Sequence, residues 1–115
     1  MSEFFQSEVV RAELAEIQEL QEEVYTNFFK FPSMCKEDQL YHIDTLETLL
    51  EKQKVLYTRL SLSDDPEAKK MKKNITQGAA DMGLPNNVDM NIIFSNMMDM
   101  VDKLKQQVDN DQFHL

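Results

Sequence analysis

Apolar residues recur at every third or fourth position early in the chain, which is the spacing of one face of an α-helix. These residues are Val10, Leu14, Ile17, Leu20, Val24 and Phe28. Ser7 stands where an N-cap is expected, and Glu8 places negative charge in the first turn, where the helix dipole favours it. The pattern predicts a helix over residues 7–29, with most of its glutamates outside the apolar stripe.

A second apolar pattern spans residues 36–60 and forms two neighbouring rows. One row is His42, Leu46, Leu49, Leu56 and Leu60, and the other is Ile43, Leu50 and Tyr57. A face this broad is typical of a helix that contacts more than one neighbour. The connector carries a proline, which ends the first helix, and Ser33 can start the second. So short a connector predicts an antiparallel α-hairpin, and we expect Phe28, Phe29 and Phe31 to plug its end.

The clearest helix start in the chain lies at Asp64, Asp65 and Pro66. Aspartate side chains accept hydrogen bonds from the free N–H groups of a first turn, and proline fits the first helical position because it has no N–H to satisfy. A buried stripe follows, made of Ala68, Met71, Ile75, Ala79 and Met82. Gly83 can adopt the left-handed conformation that ends a helix. A third helix is predicted over residues 66–82.

A fourth helix is predicted over residues 87–108, with Asn86 or Asn87 as its N-cap. Its apolar face is Met90, Ile93, Met97, Val101, Leu104 and Val108, with Phe94, Met98 and Met100 beside it. The polar residues 109–115 are expected to form a frayed tail.

The fold class that these patterns indicate is all-α. No run alternates convincingly with a period of two residues, and no glycine-rich hairpin turn is present. A chain of 115 residues has room for one modest core. We therefore predict one helical domain over residues 1–115, a bundle with a long antiparallel α-hairpin followed by two shorter helices.

The composition narrows the classes of partner. A net charge of −9 repels nucleic acids and anionic lipids, so neither is an expected partner. No stretch approaches the roughly 20 apolar residues that cross a bilayer, and the first residues lack the features of a signal peptide. The single cysteine, Cys35, cannot form an intramolecular disulfide, which fits a reducing compartment. We expect a soluble, cytoplasmic protein.

Few residues in the chain are suited to catalysis. Two glycines and two histidines leave no phosphate-binding loop and no dinucleotide fingerprint, and Cys35 lacks the signatures of a thiol enzyme. A di-metal carboxylate bundle is a weaker alternative, because its common form needs Glu-x-x-His pairs that are absent here. Asp38 and His42 lie one turn apart, but two ligands do not make a metal site. The chain is expected to be neither an enzyme nor a cofactor-binding protein.

Two charged segments admit competing interpretations. The glutamates of the first helix could imitate the phosphates of DNA and occupy a nucleic-acid site on another protein, or they could simply face water. The lysine cluster at positions 69–73 could touch a phosphate backbone or an acidic partner, or it too could be a solvated face.

Protein–protein contact is the favoured function, with a homodimer as the leading arrangement. The apolar faces are too wide for one small bundle to cover, and a symmetric dimer would bury the excess. Methionines of the fourth helix suit an adaptable contact, although their spacing also suits a core. The candidate interaction residues are Phe4, Phe5, Glu13, Glu16, Phe29, Phe31, Tyr57, Met97 and Met98.

Three segments carry a resemblance to a known family. They are Phe4-Phe5-Gln6-Ser7-Glu8-Val9-Val10, the stretch from Leu49 to Leu60, and Leu62-Ser63-Asp64-Asp65-Pro66. With them, most of the chain resembles a family of small helical proteins of unknown function from cyanobacteria and the tailed phages that infect them. The resemblance implies a setting in the cytoplasm of a photosynthetic bacterium, during infection if the protein is encoded by a phage. It carries over no site residues, since the family has no assigned activity.

Overall fold

The structure is a computed structural model that describes residues 3–81, 83 and 89–110. It contains five α-helices and one 3-10 helix within those residues, and no strand, so the all-α prediction is confirmed. The α-helices are α1 (Glu3–Gln6), α2 (Glu8–Phe28), α3 (Lys36–Leu62), α4 (Pro66–Asp81) and α5 (Met90–Asp109), and the 3-10 helix is Phe31–Ser33.

The predicted hairpin helices are confirmed with small shifts at their ends. Ser7 is the N-cap of α2, and its hydroxyl accepts a hydrogen bond from the Val10 N–H at 3.5 Å. Ser33 does not start α3, because it belongs to the 3-10 helix, and Cys35 is the N-cap instead. Leu62 ends α3 two residues beyond the predicted end.

Helix α5 begins later than predicted. Its N-cap is Asp89, whose carboxylate accepts a hydrogen bond from the Asn91 N–H at 2.9 Å, so the expected cap at Asn86 or Asn87 is wrong. Aspartate and asparagine are equally good N-caps, and three candidates stand within four residues here.

Some of the predicted residues lie outside the described part of the chain. These are Asn86 and Asn87, the predicted cap residues, and residues 111–115 of the predicted tail. Asp109, the first tail residue, is the last residue of α5.

Helix α3 is the centre of the molecule, and both α2 and α5 run antiparallel to it. Glu13 of α2 pairs with Arg59, near the end of α3, whereas Lys105 near the end of α5 pairs with Asp44, near the start of α3. Over their described lengths, the backbones of α2 and α5 pack on α3 and not closely on each other. Two helices that flank a third in this way leave a groove between them.

The core is divided into two main clusters that meet along α3. Leu49 packs in the first cluster with Val10 and Ile17 of α2, and Ala68 of α4 joins it. Leu50 packs in the second cluster, which includes Val101 and Val108 of α5 and also Phe31 and Ile43. Leu49 and Leu50 are adjacent in sequence, so their side chains point about 100° apart around α3. Helices α2 and α5 therefore pack on neighbouring faces of α3, and α4 packs on α3 and on the first cluster.

The molecule exposes more surface than a monomer of its mass usually does. Its accessible surface is 8085 Å², against roughly 6,500 Å² expected for a folded monomer of 13.5 kDa. The Cα radius of gyration is 16.2 Å, against about 13 Å for a globular domain of this length. The smallest of its three principal extents is 19 Å, so the helices form a thin, open layer.

Candidate interaction surface

An apolar groove, here called the trough, runs along α3, with α5 as one wall and with α2 as the other wall at its two ends. It consists of three adjoining cavities with volumes of about 620, 520 and 370 Å³. Met97 lines both the first and the second, and Leu46 and Leu104 line both the second and the third. The floor extends from Tyr57 to His42, which is about 22 Å along a helix. The walls and floor are mainly leucine, methionine, phenylalanine and glutamine side chains.

Helix α4 closes the trough only at its Tyr57 end. Met71 and Ile75 of α4 line the 620 Å³ cavity, and no described residue of α4 lines the other two. Tyr57 is buried there, with its ring centroid 6.0 Å from that of Phe94. The ammonium of Lys72 lies 5.8 Å from the centre of the Tyr57 ring, within range of a cation–π contact. The predicted site residue Tyr57 is therefore part of the trough end wall.

Three phenylalanines surround the opposite end, and they differ in burial. Phe31 is buried because the 3-10 helix turns it inward against the ring of His42, with centroids 5.4 Å apart. Phe28 and Phe29 are exposed, Phe29 to 89%, so the expectation that all three plug the bundle is wrong for these two. They lie where α2 ends, and their rings pack edge to face on each other at 5.3 Å. Both also line the 370 Å³ cavity.

The remaining predicted aromatic residues are used inside the molecule. Phe4 and Phe5 are half-buried against the first core cluster. The backbone N–H of Phe4 donates to Asp65 Oδ2 at 2.9 Å, which ties α1 to the start of α4. Both residues therefore contribute to the fold, and each keeps part of its surface exposed.

The predicted acidic residues form ion pairs across the hairpin. Glu13 Oε1 accepts a hydrogen bond from Arg59 Nε at 3.1 Å, and Glu16 pairs with Lys52. Both pairs join α2 to α3. Two glutamates of the first predicted helix thus join the two helices of the hairpin.

The methionines of α5 divide between core and trough. Met98 is half-buried and packs against the second core cluster, whereas Met97 and Met100 line the 520 Å³ cavity and are exposed. Met100 is not among the predicted interaction residues. Its spacing of three from Met97 could have identified it, because residues i and i+3 share a helix face.

The lysine cluster is mostly a solvated face. Lys69, Lys70 and Lys73 are exposed, and Lys72 is the member that contacts the trough end wall. Within the described residues, no group of three or more His, Cys, Asp or Glu side chains could hold a metal ion.

His42 gives the unfolding free energy a predictable pH dependence. Burial lowers the pKa of His42, and the charge of Glu23 opposes that shift in part. In the unfolded chain His42 is therefore protonated near pH 6.5, whereas in the folded protein it stays neutral to a lower pH. The free energy of unfolding consequently falls as the pH drops below about 6.5. The loss of unfolding free energy from this one group has an upper limit of about 1.4 kcal/mol per pH unit. This loss of stability ceases once the pH is below the pKa of His42 in the folded protein.

We expect His42→Gln to flatten the decline in stability between about pH 7 and 5, measured by urea unfolding at several pH values. His114→Gln is the matched control, because it removes the other histidine of the chain, which lies outside the described residues. An equal decline in wild type and His42→Gln would contradict the assignment.

The fold and the trough define a class: a small helical protein with an open apolar groove and no described metal-binding cluster. The chain belongs to the family described as Domain of unknown function (DUF1825), whose model matches residues 2–108. No curated protein and no solved structure matches it. Among the described residues, none of the helices has the length and hydropathy needed to span a bilayer.

Proposed function

We propose that this chain is a non-enzymatic protein that acts through protein–protein contact, that it self-associates, and that the trough is its binding face. The observation that carries the proposal is the open apolar trough itself, which α4 closes at one end only. Its apolar walls gain about 25 cal/mol for each Å² that a partner removes from water. An amphipathic helix is an element whose side-chain rows fit a groove of this kind.

The exposure of apolar side chains that line the trough supports this proposal. Phe29, Met97 and Met100 line it and are exposed. Met97 and Met100 add flexible side chains that adapt their shape to a bound surface.

The placement of ionisable groups supports a non-enzymatic role. Among the described lining residues, those able to exchange protons are Tyr57, Lys103 and His42, and they line three different cavities. General acid–base catalysis needs its groups within hydrogen-bonding reach of the same reacting atoms. The trough is better suited to binding a row of side chains than to catalysis.

The intracellular setting implied by the family resemblance, in a photosynthetic bacterium or its phage, stays a prediction.

Sedimentation equilibrium over about 1–200 µM tests the proposal, a range that brackets micromolar dissociation constants. We expect a dimer that Met97→Glu weakens by at least about tenfold, because the variant places a charge in the apolar trough. Ile92→Glu is the matched control, since Ile92 is exposed on the same helix and does not line the trough. Circular dichroism verifies that each variant is folded.

A three-glutamine variant compares this proposal with the nucleic-acid-mimic alternative. Replacing Glu13, Glu16 and Glu19 by glutamine should leave trough-mediated self-association within about threefold, because none of the three lines the trough and glutamine keeps an acceptor oxygen. A monomeric wild type, or a dimer unaffected by Met97→Glu, would refute the proposed binding face.

A further inference from the structure

We propose that protonation of His42 controls occupancy of the trough: a second copy of this chain binds while the imidazole is neutral and dissociates when the imidazole is charged. This inference rests on the proposed function and names the regulation of that same surface. It follows from the position of His42 in the wall of one cavity, from the exposed phenylalanines beside it and from the charges around it.

His42 lies in the wall of the 370 Å³ cavity, at the end of the trough that α4 leaves open. The residue is 7% exposed, and its ring packs on Phe31 with centroids 5.4 Å apart. The other described residues that line this cavity are apolar: Val24, Phe28, Phe29, Phe31, Pro32, Leu46 and Leu104. Among these lining residues the imidazole is the single group that titrates near neutral pH. The small part of it that water reaches therefore faces the cavity.

Two exposed phenylalanines place this cavity within the expected contact. Phe28 and Phe29 line it and are exposed to 60% and 89%. Aromatic side chains carry a large apolar surface, so a second copy in the trough gains free energy by covering this pair. A copy that covers them also covers the opening through which water reaches His42.

The elements that pack around His42 carry few charged groups near it. They are Glu23 of α2, Lys30 of the connector, Asp38 of α3, and Lys105 and Asp109 of α5. Lys30, Asp38 and Asp109 are exposed, and Lys105 pairs with Asp44 at 3.3 Å. The half-buried Glu23 is the group whose charge raises the pKa of His42, but burial outweighs it, so this pKa lies below its ordinary value.

Covering the cavity costs more free energy for a charged imidazole than for a neutral one. The imidazolium loses its remaining contact with water, and the apolar side chains of the wall offer it no acceptor. Binding of a second copy therefore lowers the pKa of His42 further, and by linkage protonation weakens binding to the same extent.

The weakening begins below the pKa of His42 in the free protein, which itself lies below 6.5. Above that pH the imidazole is neutral in the free and the bound protein, and binding is at full strength. Because the dimer contains two copies of His42, its Kd can rise by up to about a hundredfold for each pH unit.

This direction is opposite to the effect of the net charge. The chain carries a net charge of −9, so two copies repel each other at neutral pH. Acid neutralises carboxylates and reduces that repulsion, which by itself strengthens association. Dissociation in acid is therefore the expected sign of a buried histidine and not of the overall charge.

Sedimentation equilibrium at several pH values tests the inference. We expect the Kd of the wild type to rise at least about tenfold between about pH 7.5 and 5, and that of His42→Gln to stay constant or fall. His114→Gln is the matched control, because it removes the other histidine of the chain and should behave as the wild type does. Circular dichroism verifies that each protein is folded at each pH.

Glu23→Gln tests the assignment of the titrating group. This variant removes the charge that raises the pKa of His42, so the pH at which the dimer is half dissociated should move lower. Glu19→Gln is the matched control, since Glu19 is exposed on the same helix and lines none of the trough cavities. The same shift from both variants, or no shift from Glu23→Gln, would contradict the role of His42.

The outcomes separate this inference from the proposed function. A dimer that Met97→Glu disrupts, but whose Kd does not rise in acid, would leave the trough as the binding face and overturn its regulation by His42. An equal rise in the wild type and in His42→Gln would overturn it as well. A wild type that is monomeric at pH 7.5 would overturn the proposed self-association, and the regulation with it.

Discussion

Replacing Leu60 with alanine is expected to lower the free energy of unfolding by about 3–5 kcal/mol, the upper part of the range for buried leucines. Leu60 is 0% exposed and joins α3 to Val10 of α2 and Ala68 of α4 in the first core cluster. Alanine would remove three carbon atoms and their contacts and leave a cavity that three helices would have to move to fill. Urea unfolding monitored by circular dichroism measures the change.

Leu62→Ala is the control for this prediction. It makes the same chemical change two residues later on the same helix, where the side chain is 81% exposed. Its effect should stay within about 0.5 kcal/mol, as is usual for surface substitutions. Similar losses from the two variants would show that helix propensity, and not burial, accounts for the effect.

Replacing Asp65 with alanine is expected to cost about 2 kcal/mol, because it removes a helix cap and a second hydrogen bond together. One carboxylate oxygen accepts from the Glu67 N–H at 2.9 Å and so caps α4. The other oxygen accepts from the Phe4 N–H at 2.9 Å and holds α1 in place. Urea unfolding measures the loss of stability, and amide exchange at Phe4 should become faster.

Asp64→Ala is the matched control, since Asp64 is the exposed neighbour of the half-buried Asp65. We expect a change within about 0.5 kcal/mol for this variant. Unchanged exchange at Phe4 in Asp65→Ala would contradict the link between α1 and α4.

The sequence was sufficient to locate the long helices because local chemistry sets their ends. Ser7 could be identified as an N-cap and Pro66 as a first helical residue from residue type and position alone. Gly83 has a φ of +99°, in the left-handed region that its place after α4 predicted. The cap of α5 was wrong because Asn86, Asn87 and Asp89 have similar capping ability, and the choice among them depends on tertiary packing.

The trough could not be predicted from the pattern of hydrophobic residues in the same way. The two apolar rows of α3 indicated more than one neighbour, and that prediction is confirmed by the clusters around Leu49 and Leu50. The pattern does not specify whether those neighbours also touch each other, because that depends on the angle between them. The sequence likewise did not predict the 3-10 helix at Phe31–Ser33. Because of that helix, Phe31 is buried although Phe29, two residues earlier, is exposed.

The division of the core along α3 has a consequence for local unfolding. Helix α5 buries its side chains mainly on α3, whereas α2 is in contact with α1 as well as α3. We expect the α2–α3 hairpin to keep the first cluster intact if α5 detaches, because α5 contributes no residue to that cluster. A ligand that binds α5 within the trough would then stabilise the closed state, so its binding is thermodynamically linked to the fraction of molecules in which α5 is detached.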